Sequence, residues 1–124
     1  MATQANTITA SSRTFVSATV TTAADGLSDV IDLGGAKLCS IQMSTTWTAA
    51  GLTFLGSASS TDKMCSVYHT TGTVELTYGT SASLAHVVDP AFFAGLRYLQ
   101  LRSGISGAAV AQAAARTIVL GLIK

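Results

Sequence analysis

Charge is what this sequence has least of. Lysine, arginine, aspartate and glutamate make up 10% of its 124 residues, where a soluble domain usually carries about 25%. The formal net charge is +1, so bulk charge draws in neither nucleic acid nor an anionic membrane. No apolar run approaches the length of a membrane helix. The short apolar segments are too few, and too poor in girdling aromatics, for a membrane barrel. There are only two cysteines, and a disulfide between them is left open, since it would need their two strands to be neighbours with suitable geometry. The opening "MATQANTITASSR" has no apolar core and is not a secretory signal.

Serine, threonine, alanine and glycine fill the places where charged residues usually sit. Such a surface is weakly hydrated and lacks the repulsion that keeps molecules apart. It fits either a small sandwich with a Ser/Thr surface or, the favoured reading, a subunit whose faces are largely covered in an assembly. The length suits one domain with a single core.

Short β-type runs recur along the chain: Thr14–Thr22, Asp29–Leu33, Lys37–Met43, Leu52–Ala58, Met64–His69, Thr73–Tyr78, Ser83–Val88, Arg97–Ser103 and Arg116–Ile123. They are rich in β-branched and aromatic residues, which suit a half-buried pleated surface. Asp25-Gly26 and Gly34-Gly35 supply the positive φ of tight connections, and Gly72 in "HTTGTVEL" marks a hairpin. The expected fold is all-β: an antiparallel, jelly-roll-like β-sandwich of eight or nine strands. In the first strand strict alternation puts Phe15 and Val20 on opposite faces, which calls for a bulge or a two-sided contact. "DPAFFAG" reads as one short helical turn, capped by Asp89, entered at Pro90 and ended at Gly95. Residues 1–12 form a polar arm that a neighbouring subunit is expected to hold. Residues 13–124 are the sandwich domain, with a long Ala/Gly/Ser loop over residues 103–115.

Catalysis needs converging groups, and none converge here. His69 and His86 lie in different strands without metal-ligand spacing. The acids of "DGLSDVID" lack the density and the terminal glutamate of a calcium loop, so they read as turn and strand-edge residues. Nucleophile, dinucleotide and nucleic-acid signatures are absent. No catalytic, cofactor or metal residue is expected, and the chain is expected not to be an enzyme. Alternation places Cys39 beside Ile41 and Met43, and Cys65 beside Val67, as free buried thiols. Trp47, the only tryptophan, reads as a ring covering one end of the core, with an aromatic contact platform as the alternative.

In "LRYLQLRS", Arg97, Leu99 and Leu101 point one way, while Tyr98, Gln100 and Arg102 point the other. Arg97 is expected at the sheet end, pairing with Asp89 or capping the turn. Tyr98, Gln100 and Arg102 form a polar, stackable strip suited either to protein contact or to an ordinary solvent face, and with Trp47 they make up the candidate interface.

From Trp47 the order "WTAAGLTF", a "SSTDK" turn, "VYHTTGTVEL", "DPAFFAGLRYLQLRSG" and "AARTIVL" resembles small proteins encoded among the virion structural genes of tailed bacteriophages. The resemblance spans Ile31 to Leu120. "RYLQLR" is also similar to a late strand of discoidin-like and carbohydrate-binding jelly rolls. The first resemblance implies a non-enzymatic virion protein, made in the host cytoplasm. The leading expectation is a capsid decoration or cement protein: a homo-oligomer, without cofactor, nucleic acid or membrane, whose partners are the major capsid protein or other virion subunits. A carbohydrate- or receptor-binding module of the tail or baseplate is the alternative.

Overall fold

The computed structural model describes residues 13–69, 72–78 and 81–124, so the expected arm over residues 1–12 lies outside the described residues. The strands are β1 Arg13–Val20, β2 Leu27–Asp32, β3 Lys37–Gln42, β4 Leu52–Ser57, β5 Cys65–Ser66, β6 Ala85–Val87, β7 Tyr98–Ile105, β8 Ala108–Ala109 and β9 Arg116–Ile123. They pair antiparallel in the order β5-β4-β7-β2-β1-β9-β3-β6, with β8 added to β7. Between β1 and β2 only Val20 and Ser28 are in register. The sheet curls at that joint, and its two limbs, β5-β4-β7-β2 and β1-β9-β3-β6, close over one core. The all-β, antiparallel, sandwich-like architecture agrees with the sequence reading.

Period-two alternation builds the core. One limb contributes Ala18, Val20, Leu38, Ile41, Ile118, Leu120 and Leu122, and the other Ile31, Leu52, Phe54, Leu99 and Leu101, all buried. Each fully buried large side chain stabilises the fold by about 1.5–3 kcal/mol. The turn Pro90–Phe93 packs against this core through Phe93, whose ring meets Phe54 edge-on with centroids 5.2 Å apart. Asp89 caps that turn by accepting from the Ala91 amide at 3.0 Å, and Pro90 occupies its start, as expected. Its end differs: Ala94 closes it in a right-handed conformation, so Gly95 is not needed as a left-handed stop. A second single turn, Thr61–Lys63, is capped by Ser60.

Four details depart from the sequence reading. β1 pairs with β9 in unbroken register, so neither bulge nor two-sided contact is present there; Phe15 simply faces outward and is exposed. The irregularity lies in β3, between Leu38 and Ser40. The extra residue is Cys39, which shifts alternation and leaves its thiol half-buried, donating to the Gly121 carbonyl at 3.3 Å. Cys65 sits on the short edge strand β5 and is exposed rather than buried; both thiols are free. Residues 73–78 join β4 and the 67–69 segment through bridges only, Leu52 with Tyr78 and Tyr68 with Glu75.

The region read as a loop over residues 103–115 is largely built in. β7 continues to Ile105, and β8 folds back on it. Gln112 is buried, its amide oxygen accepting from the Thr48 amide at 2.8 Å and its amide nitrogen donating to the Thr48 carbonyl at 3.0 Å and the Ser103 hydroxyl at 2.8 Å. That set of bonds ties the segment to the 46–50 connection.

Candidate functional site

The four residues expected to form an interface do not come together. Tyr98 and Gln100 lie half-buried on the outer face of β7. Tyr98 carries the Arg97 guanidinium over its ring at 5.2 Å, and Gln100 donates to the Ser28 carbonyl at 2.7 Å. Arg102 follows the same alternation, but it is buried. The cause is the pairing of residues 67–69 with 74–78 beside β4, which places Glu75 over the outer face of the sheet. Arg102 lies across Thr53, donating to its hydroxyl at 3.0 Å and to Ser66 at 3.3 Å, and ends in an ion pair with Glu75. The other Glu75 oxygen accepts from the Ser106 amide at 2.9 Å. Arg102 is therefore a pin inside the molecule and not a surface contact. Trp47 is also structural: it packs half-buried on the core, and its indole nitrogen donates to the Ala50 carbonyl at 3.0 Å.

Arg97 pairs with Asp32 at 3.3 Å rather than with Asp89. β2 and β7 put the two side by side, since Asp32 is in register with Tyr98. The hydrogen bond from Arg97 is the largest cause holding the Asp32 carboxyl below its ordinary pKa, and the Gly34 amide acts in the same direction. A depressed folded-state pKa gives stability that is present above the unfolded value and is lost as pH falls through the folded one. Both side chains are about half exposed, 56% and 49%, so salt screens the pair and its contribution is small. Asp32→Asn should therefore flatten the acid limb of a melting-temperature profile while leaving the neutral plateau nearly unchanged. A fall at neutral pH as large as that of a core substitution would contradict this placement.

The histidines do not meet. His69 contacts the Phe92 ring edge-on at 5.9 Å, and His86 lies 5.9 Å from Tyr78. Burial, and secondly the Asp89 charge, push the Tyr78 phenol up. No group of three or more metal-ligating side chains occurs among the described residues. The acids of "DGLSDVID" serve backbone: Asp25 accepts from Leu27, Asp29 from Thr19 and Asp32 from Gly34.

Another surface has the character the sequence reading sought. Registers align Phe15 with Gly121, Gly121 with Ser40, and Ser40 with Val87. Residues directly opposite in an antiparallel sheet point to the same side, so the four form a row across β1, β9, β3 and β6 on the outer face. Packing agrees, because a side chain placed at Gly121 would meet the Ser40 hydroxyl and come 3.6 Å from the Phe15 ring. Phe15 is 61% exposed and Val87 91%. The row on one side holds Arg13, Ile123 and Lys37, and the row on the other Ser17, Val119, Gln42 and Ala85. These rows contain no acidic residue, and their two basic residues share one end. Sequence reading missed this face. The conflict it noted between Phe15 and Val20 was the available signal, as was the adjacent pair Val87-Val88, of which one must point out.

The fold is similar to that of the SPBc2 prophage-derived protein YomS, known from its crystal structure. The TM-score is 0.56 at 10% sequence identity, over 95% of this chain and 100% of that one. At that identity the likeness is one of fold. No protein-family model and no curated protein matches the chain.

Proposed function

We propose that this chain is a structural protein of a bacteriophage particle that binds and stabilises the major capsid lattice. The observation that carries this reading is the outer face of β1-β9-β3-β6, which turns Phe15 and Val87 to solvent on a surface almost without charge. An isolated soluble domain covers or charges such a face, and an assembly subunit uses it. The shared fold with a prophage-derived protein supports a phage setting, as does the resemblance to virion structural proteins that runs through "DPAFFAGLRYLQLRSG". Function exerted by contact needs no catalytic group, metal or cofactor, and none is proposed. The carbohydrate-binding alternative draws no support from Trp47, whose ring is engaged with the core.

The test is to add purified protein to heads that lack it and to reconstruct the product. Density is expected at symmetry-repeated sites on the capsid lattice. Density on the tail alone, or no binding at all, contradicts the proposal.

A further inference from the structure

We infer that Arg116 anchors a carboxylate-binding site at one end of the sandwich, which takes an aspartate or glutamate side chain of a protein partner. The inference rests on the reading of the β1-β9-β3-β6 limb as a protein contact and adds to it a charged anchor of defined chemistry.

Arg116 begins β9 on the same side as Ile118 and Leu120, so alternation turns it inward at the end of the sandwich, where it is half-buried. Three neutral oxygens hold its guanidinium. Nε donates to the Gln112 amide oxygen at 3.2 Å, Nη1 to the Thr46 hydroxyl at 2.8 Å and Nη2 to the Thr48 hydroxyl at 3.4 Å. Gln112 is itself fixed, because it is buried and its remaining bonds go to Thr48 and Ser103. The charge is thus positioned but not balanced. Arg97 and Arg102 are each paired with a carboxylate, whereas among the described residues no acid pairs with Arg116. The segments that build the site, residues 44–50 and 110–117, contain no other charged residue.

The side-chain groups left over around this charge are donors. Each terminal nitrogen of a guanidinium carries two N–H groups, so Nη1 and Nη2 each keep one. Thr48 Oγ1 already accepts twice, from Arg116 and from the Ala113 amide at 3.1 Å. A hydroxyl has two lone pairs, so Thr48 has only its hydrogen left to give. The exposed Thr46 hydroxyl is likewise turned to Arg116 as an acceptor. Such a set is complementary to an oxyanion, and charge-assisted bonds from a guanidinium fork are strong ones. One fixed cation matches a monoanion. A phosphate dianion calls for a further basic residue, and the two segments supply none. A carboxylate side chain carries the matching single charge and suits a protein contact, where arginine is enriched among the anchoring residues.

The test is an NMR titration of the full-length chain with sodium acetate, set against sodium chloride at matched ionic strength. The Arg116 Nε–H and the Gln112 side-chain amide are the signals read. Acetate should shift both saturably where chloride does not, and Arg116→Lys, which keeps the charge but loses the fork, should abolish the saturable shift at Gln112. Thr46→Ala, at an exposed position, leaves the buried groups untouched and should weaken acetate binding. No acetate-specific shift overturns the inference, as does a shift that Arg116→Lys and Thr46→Ala both leave unchanged. Saturation by inorganic phosphate at a lower concentration than acetate overturns the carboxylate assignment. With heads that lack the protein, Arg116→Gln of unchanged melting temperature should bind roughly tenfold or more weakly than the wild type, as loss of an interface anchor does. Equal binding overturns the part assigned to the partner. Failure of the wild type to bind heads defeats the capsid reading alone, and the acetate titration still decides the site.

Discussion

Glu75→Leu should destabilise this protein by about 3–5 kcal/mol, the range seen when one partner of a buried ion pair is removed. Glu75 and Arg102 have side-chain exposures of only 11% and 10%. Without the carboxylate, the guanidinium stays held over Thr53 and Ser66 with its charge uncompensated. The Ser106 amide also loses its acceptor. Small domains hold about 5–15 kcal/mol in total, so much of the margin would go. The double variant Glu75→Leu/Arg102→Met should recover most of the loss, because an apolar pair of similar volume avoids the desolvation cost. Denaturant unfolding of the wild type, both single variants and the double variant measures the coupling directly. If Glu75→Leu costs less than about 1 kcal/mol, the pair behaves as an exposed one, and the pinning of the segment around Glu75 is wrong.

Gly104→Ala should cost about 2–4 kcal/mol, through two additive causes. Its φ is 99°, a conformation that L side chains rarely adopt, and an added Cβ would lie 2.5 Å from the Ala108 carbonyl oxygen and 2.7 Å from the Val110 nitrogen. Both obstacles are backbone of the returning β8 segment and cannot swing aside. Gly107, in the same hairpin, separates the causes. Its φ is 81°, but nothing lies within 4 Å of its Cβ position. Gly107→Ala should therefore carry only the conformational strain, about 1–2 kcal/mol. Equal losses for the two variants would mean that β8 does not pack on β7 as described.

Alternation and turn chemistry made much of the fold legible in the sequence. Leu99 and Leu101 face the core and Tyr98 and Gln100 face out, because a strand with one buried face has only one workable register. Asp89 and Pro90 shaped their turn as local capping predicts, since those interactions span two or three residues. What the sequence did not show depends on neighbours distant along the chain. Arg102 looked like a surface residue because Glu75, which buries it, belongs to a different hairpin. The 103–115 segment looked like an open loop because the groups that bind Gln112 are Thr48 and Ser103, the first of them 64 residues away. Cys39 was assigned to the core because a bulge cannot be seen from one strand alone. The Phe15–Val87 row brings together four strands that lie far apart in the sequence; local alternation could flag Phe15 and Val87 singly as outward-facing, but not that they share a face.

The role proposed for this chain is to cover protein surface in a repeating assembly. Quantitative mass spectrometry of purified particles from a phage encoding it tests this most directly. Many copies per particle are expected, in a fixed ratio to the major capsid subunit. Absence from the particle, or a copy number matching only the tail, would contradict it.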